Sequence, residues 1–183
     1  MSALRADARR NLELVLEAAS QAFAELGPEV SVDEIARRAG VGHGTVFRRF
    51  PTKSALMAAV LRLRLEELAD RAEQLVAGGD PAAAFDEFVW LAAEACRRDR
   101  AFFEGVAMCE GFAEVADAKR RVHACAGVLL AHAQEAGAVR GDVTVDDVST
   151  LVGSSVLAAA GTREAEAWRR YVEIILAGLR PAP

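Results

Sequence analysis

Residues that interrupt helices are few in this chain and fall at widely separated points. The prolines are Pro28, Pro51, Pro81, Pro181 and Pro183. The long stretches between them are rich in Ala, Leu, Glu and Arg, which are strong helix formers. A chain punctuated in this way is expected to be helical throughout. We therefore predict an all-α protein of about nine helices.

Apolar residues at helical spacing, together with capping residues, predict where these helices begin and end. The predicted helices cover residues 6–26, 31–39, 44–50, 53–76, 81–99, 100–109, 113–136, 144–160 and 163–179. Ser31 and Glu34 are predicted to form a capping box, in which the Ser31 hydroxyl accepts from the Glu34 amide and Glu34 reaches back. Thr52, Asp80 and Thr144 are predicted to cap later helices.

The predicted helix at 53–76 is apolar on two sides, with Leu56 in one stripe and Leu61 in the other. A helix of this kind is expected to pack between two bodies. We therefore predict an N-terminal domain at 6–53 and a larger C-terminal helical bundle at 54–183, bridged by this helix.

The distribution of charge matters more than the net charge of −5. Residues 1–53 contain eight Arg or Lys and seven Asp or Glu, whereas the remainder contains fourteen and twenty. Five basic residues and no acidic residue lie between positions 35 and 53. DNA binding requires a local basic face rather than a basic protein. The composition therefore allows a DNA-binding surface within 35–53.

Residues 35–50 have the pattern of two short helices joined by a tight turn. Gly40 permits the chain to reverse, Val41 fills the corner, and Val46 and Phe50 lie on one side of the second helix. The side chains left on its other faces are His43, Thr45, Arg48 and Arg49. This is the arrangement of a helix-turn-helix, whose second helix enters the major groove.

The residue types suit that role. Arg48 can bond guanine N7 and O6, and Thr45 can contact a base or a thymine methyl group. Gly44 allows close approach to DNA. Thr52 and Lys53 lie at the start of the next helix, where free amides and the helix dipole favour a phosphate.

The stretch from Val32 to Leu56 resembles the DNA-binding signature of the tetracycline-repressor (TetR) family. The matching positions include Ile35, Ala36, Gly40, Val41, Gly44, Thr45, Phe50, Lys53 and Leu56. The resemblance implies DNA contacts at Ser31, Gly42, His43, Gly44, Thr45, Phe47, Arg48, Arg49, Thr52 and Lys53. Three positions depart from the family: Gly42 replaces a Ser or Thr cap, Phe47 replaces a Tyr whose hydroxyl bonds phosphate, and Arg49 replaces His.

The region between residues 85 and 112 contains most of the aromatic side chains. The simplest interpretation is a hydrophobic core, and the alternative is a pocket for a small apolar ligand. The family resemblance favours such a pocket without identifying its lining. The candidates are Phe85, Phe88, Trp90, Phe102, Phe103, Met108 and Phe112.

The last two predicted helices are suited to association. The first of them is rich in small residues, and the second is apolar on more than one face. The resemblance implies that this pair forms a four-helix homodimer interface.

These patterns predict a DNA-binding transcriptional regulator, namely a ligand-responsive repressor that binds a pseudo-palindromic operator as a homodimer. An all-helical ligand carrier or a protein-interaction module that does not bind DNA remains the alternative. We find no catalytic constellation and expect no enzyme activity, metal or cofactor. An odd number of cysteines, no signal-peptide core and no long apolar run predict a cytoplasmic protein.

Overall fold

A computed structural model describes residues 2–98, 111–159, 161, 164 and 166–181. The helices in these ranges are α1 (Ser2–Leu26), α2 (Val32–Ala39), α3 (His43–Arg49), α4 (Lys53–Val76), α5 (Pro81–Arg98), α6 (Ala113–Glu135), α7 (Val145–Ala159) and α8 (Ala167–Gly178). No strand occurs in this part of the chain. The all-α prediction is confirmed, and the predicted helix at 100–109 lies outside the described residues.

The chain divides into two compact units. One comprises Met1–Leu63 and Asp99–Ala116, and the other comprises Arg64–Arg98 and Asp117–Pro183. The division falls inside α4, so that this helix contributes its first half to one unit and its second half to the other.

The core of the first unit receives at least one large buried side chain from each of its first four helices. These are Phe23, Ile35, Val46 and Leu56, all of which are at most 1% exposed. Burying a side chain of this size stabilises a fold by about 1.5–3 kcal/mol relative to exposing it. The short helices α2 and α3 therefore owe their stability to this shared core rather than to their length.

Side-chain caps begin four helices, as predicted. Ser31 Oγ accepts from the Glu34 amide at 3.2 Å, and Thr52 Oγ1 accepts from the Ala55 amide at 3.1 Å. Asp80 caps α5. Thr144 caps α7, where the Asp147 carboxylate completes a reciprocal box.

The predicted return bond from Glu34 is wrong. The Glu34 carboxylate is turned along α2, where both of its oxygens accept hydrogen bonds from Arg37 and Arg38 at 2.7–2.8 Å. Two charged donors compete successfully with one backbone amide for this carboxylate, because charge-assisted hydrogen bonds are the stronger ones.

The second unit has a separate core built from α5, α6, α7 and α8, with Ala72 contributed by the second half of α4. Phe85, Leu129, Val152 and Val172 represent the four helices, and each is at most 3% exposed. The C-terminal helix α8 begins at Ala167, later than the predicted start at 163. The acidic Glu164 that precedes it is not helical; its carboxylate accepts from Arg170 at 2.9–3.0 Å.

Candidate nucleic-acid interface

The turn between α2 and α3 depends on Gly40. Its φ of +67° lies in the left-handed region, which residues with a Cβ rarely adopt. The Gly40 amide donates to the Arg37 carbonyl and the Val41 amide to the Ala36 carbonyl, at 3.2 and 3.1 Å. The backbone groups at the end of α2 are therefore satisfied within the turn, and the chain leaves at a fixed angle to begin α3.

One side of α3 is anchored in the core and the other faces solvent. Val46 and Phe50 are buried, as predicted. His43, Gly44 and Phe47 are exposed. This alternation follows from the helical period, because residues four apart lie on one side of the helix.

The sequence-predicted DNA contacts all belong to the first unit and are accessible. The exposed members are Ser31, Gly42, His43, Gly44, Phe47, Arg48, Arg49 and Thr52, and the half-buried members are Thr45 and Lys53. Phe47 is 37% exposed, so its ring is not a core residue.

The positive charges of α3 are not neutralised. The Arg48 guanidinium donates only within its own helix, to the Gly44 carbonyl at 3.1 Å and to Thr45 Oγ1 at 3.4 Å. Across the described residues, the side chains of Arg49 and Lys53 form neither an ion pair nor a hydrogen bond. The exposed face around α3 therefore presents three cations without a carboxylate partner.

Thr52 and Lys53 lie together at the N-terminus of α4. The Thr52 hydroxyl accepts from the Ala55 amide, which leaves its own hydrogen free to donate. Lys53 is the first residue of the helix, where the helix dipole is positive. These features suit a phosphate oxygen.

Sequence reasoning did not identify Asp33 as a neighbour of α3. Its carboxylate is hydrogen bonded to Nδ1 of His43, and the His43 ring stacks on Phe47 with centroids 4.3 Å apart. Ten residues separate Asp33 from His43, and their contact depends on the angle between α2 and α3. No local pattern in the sequence indicates it.

Four of the seven pocket candidates lie in the described residues. Phe85 and Phe88 are buried in the core of the second unit, and Trp90 is half-buried against that core. Phe112 is half-buried and belongs to the first unit. The remaining candidates, Phe102, Phe103 and Met108, lie outside the described residues.

A buried donor adjoins Trp90. Trp168 is 4% exposed, its ring meets the Trp90 ring edge-on with centroids 5.9 Å apart, and its indole Nε1 has no hydrogen-bond partner among the described residues. Buried indole N–H groups usually have a partner, because leaving one unsatisfied costs about 1–3 kcal/mol.

An apolar groove of about 410 Å³ is lined by residues of α7 and α8. Leu151 and Ile174 line it and are 47% and 61% exposed. The other lining residues are Thr150, Ser154, Ser155, Tyr171 and Ile175.

None of the helices in the described ranges is long and apolar enough to cross a membrane.

Two family profiles match the chain. A profile for bacterial regulatory proteins of the tetR family matches residues 15–60. A profile for the C-terminal domain of SbtR-like transcriptional regulators matches residues 80–181, which is more than half of the chain.

Individual proteins agree with these profiles. A curated HTH-type transcriptional repressor of Mycobacterium tuberculosis is 52% identical over 48 residues, which cover only 26% of this chain and 26% of that protein. A solved TetR transcription regulatory protein of Mycobacterium vanbaalenii is 39% identical with a TM-score of 0.69, over 97% of this chain and 99% of that one. A TetR transcriptional regulator of Streptomyces coelicolor is 26% identical with a TM-score of 0.74, over 93% and 99%.

The exposed cationic face of a helix-turn-helix, a C-terminal profile match over more than half of the sequence and a 39% identical relative over nearly its full length agree with one another. The chain belongs to the TetR family of DNA-binding transcriptional regulators.

Proposed function

We propose that the chain is a ligand-responsive repressor that binds a pseudo-palindromic operator as a homodimer. The observation that carries the DNA-binding part is the set of unpaired cations on the exposed side of α3 and at the start of α4. A groove lined by phosphates would neutralise these charges, and counterions released from the DNA would contribute to affinity.

In this proposal the residues of the cationic surface fall into two groups, one that contacts bases and one that contacts phosphates. Arg48 and Thr45 contact base edges in the major groove, where Arg prefers guanine. Arg49, Thr52 and Lys53 hold phosphates and set the register of α3 on the duplex. The surface of α3 that meets the major groove is completed by His43, Gly44 and Phe47. Ser31, at the start of α2, contacts the DNA backbone.

A second copy of the chain is the proposed occupant of the groove between α7 and α8. Leu151 and Ile174 are larger and more exposed than a surface in water favours, and pairing this face across a two-fold axis would bury them. One short helix reads few bases, whereas a two-fold pair reads an inverted repeat. The family implies the same pairing.

Two further observations support repression and ligand response. The Mycobacterium tuberculosis relative is named as a repressor, and its similarity is confined to 48 residues. The unpartnered Trp168 N–H beside Trp90 supports a ligand site in the second unit, because an acceptor on a small apolar ligand would satisfy that donor. Phe85 and Phe88 would support this site from the core.

Helix α4 is the proposed route from ligand to DNA. It belongs to both units, so a ligand that favours one position of its second half would also shift its first half, which follows α3 in the chain. Such a ligand releases DNA only if it binds the two arrangements with different affinity.

The test is selection of bound duplexes from a random pool, with the oligomeric state measured in solution beforehand. The proposal predicts a dimer and an inverted repeat whose half-site centres are about one helical turn apart, or a multiple of that distance. A dimer that enriches no sequence would instead favour an interaction module. A monomer that enriches a single half-site would overturn the proposed interface while leaving DNA binding intact.

Trp168→Phe tests the ligand site separately, because it keeps an aromatic ring and removes the N–H. With a library of small apolar compounds monitored by thermal shift, a compound that stabilises the parent and releases DNA should act more weakly on this variant. Equal action on both proteins would remove Trp168 from the site.

A further inference from the structure

The contact between Asp33 and His43 joins the two helices of the helix-turn-helix close to the first residue of each. It is the one side-chain hydrogen bond between α2 and α3 among the described residues. The carboxylate bonds Nδ1 of the imidazole, while one face of the ring lies against Phe47 at an interplanar angle of 28°. The orientation of the ring is therefore set from two sides.

The other nitrogen of the ring stays available. The His43 side chain is 52% exposed. In an imidazole ring, the hydrogen bond that one nitrogen makes sets which of the two nitrogens carries the proton. With Nδ1 donating to Asp33, Nε2 is the atom left to bond a base edge. An imidazole released from Asp33 could rotate and offer either nitrogen.

We propose that Asp33 is a positioning residue for sequence readout: it holds His43 so that Nε2 is presented to the DNA, and does not itself contact DNA. This inference rests on the proposed DNA-binding function. It explains why a carboxylate is found beside a surface that should attract phosphates. Asp33 is 74% exposed, so its charge repels any duplex, whereas its hydrogen bond helps only a duplex that His43 can read.

Asp33 also lies in the first turn of α2, where the positive end of the helix dipole stabilises a negative charge. If Asp33 had a purely structural role, substituting it would lower the stability of the fold by the same amount whether or not residue 43 is histidine. The positioning role requires His43. The two roles therefore give different results when both residues are changed.

The experiment compares Asp33→Asn, Asp33→Ala, His43→Ala and the double variant Asp33→Ala/His43→Ala. Binding is measured by fluorescence anisotropy to the best selected duplex and to a scrambled duplex, with thermal melting as a check on folding. Both Asp33 variants lose the repulsive charge and should bind the scrambled duplex about twofold more tightly. Asp33→Ala should lose about five- to tenfold in discrimination between the two duplexes, which is about 1–1.4 kcal/mol.

Asp33→Asn keeps an oxygen that accepts from Nδ1, so it should retain most of the discrimination. In the His43→Ala background, Asp33→Ala should cause no further loss. Equal losses in the two backgrounds, equal losses in Asp33→Asn and Asp33→Ala, or unchanged discrimination would each overturn the inference. If Asp33→Ala is unfolded at the assay temperature, Asp33→Leu, whose side chain likewise cannot accept from Nδ1, is compared in the parent and His43→Ala backgrounds instead.

A parent chain that discriminates among no duplexes would overturn the proposed function, and the readout role with it. A discriminating parent with unaffected Asp33 variants would overturn only the role of Asp33.

Discussion

Helices α2 and α3 each carry two consecutive arginines in their last turn, yet the two pairs are in opposite electrostatic states. Arg37 and Arg38 both bond the Glu34 carboxylate, and Arg38 also reaches Glu25 at 2.6 Å. Hydrogen bonds from Arg37 and then Arg38 lower the pKa of Glu34 to about 2. Arg48 and Arg49 have no carboxylate partner within the described ranges.

Within one motif, one arginine pair therefore stabilises the fold and the other is available for binding. The charges of α2 are neutralised locally and connect it to α1, whereas those of α3 remain available to an anionic partner. Counting basic residues between positions 35 and 53 does not reveal this, because the acidic partners of the first pair lie at or before position 34. Substitutions in the two helices can test the difference between the two pairs.

The largest effect is expected from removing both arginines of α3. Arg48→Ala/Arg49→Ala should weaken binding to a selected duplex by about 100-fold, because the variant can form neither the base contact of Arg48 nor the phosphate contact of Arg49. The slope of log K against log salt should fall by about one unit for each phosphate that is no longer neutralised. Anisotropy titrations at several salt concentrations measure both quantities.

Arg37→Ala/Arg38→Ala is the matched control, since it removes the same two charges from α2. It should weaken binding by no more than about threefold. A reduction in affinity as large as that of the α3 variant would mean that α2 contacts DNA directly, which would end the distinction.

Lys53 provides the next effect, and the chain contains one other lysine for comparison. Lys53→Ala should weaken binding about tenfold on every duplex without changing the preferred sequence, because it removes a phosphate contact. Lys119→Ala removes an exposed lysine from α6 and should change affinity by less than about twofold, because that lysine belongs to the second unit. The two variants are compared on selected and scrambled duplexes.

The two helices also differ at the capping residues that precede them. Ser31 caps α2, whereas Gly42 gives α3 no side-chain cap. Ser31→Ala should lower the free energy of unfolding by about 1 kcal/mol, and Gly42→Ser should raise it by a few tenths. Room exists for the new side chain, because no atom lies within 4 Å of a Cβ at position 42 and its φ is −71°. Urea denaturation checks both signs, and a destabilised Gly42→Ser would show that α3 begins differently.

The smallest effect is the acid dependence of Glu34. Its pKa in the folded chain is about 2, below the ordinary value of 4.5, so its ion pairs stabilise the fold above about pH 4.5 and are lost as the pH falls toward 2. Glu34→Gln should therefore lower Tm slightly at pH 6, and the difference from the parent should disappear near pH 2. Melting curves over this range measure it; a constant difference would assign the effect to packing.

Most of the helices could be predicted from sequence because the signals are local. Ser31, Thr52, Asp80 and Thr144 are capping residues that act on amides within three positions of themselves. The late start of α8 at Ala167 could not be predicted, since the apolar pattern alone does not show that Glu164 is outside the helix.

The site could be predicted only in part. The motif located α3, because Gly40, Val46 and Phe50 have roles fixed by the turn and the core. It could not show which arginines have carboxylate partners, since that depends on rotamers and on Glu25 in another helix. Nor could periodicity separate pocket from core at Phe85 and Phe88, because both kinds of residue occupy the same apolar face.

The central claim is that the exposed face of α3 reads DNA, and Arg48→Ala tests it most directly. Duplexes are selected in parallel from one random pool by the parent and by this variant, and the enriched sequences are compared. The variant should lose its preference at one base pair in each half-site, where the parent selects guanine, while the half-site spacing stays unchanged. Identical enriched sequences from the two proteins would contradict it.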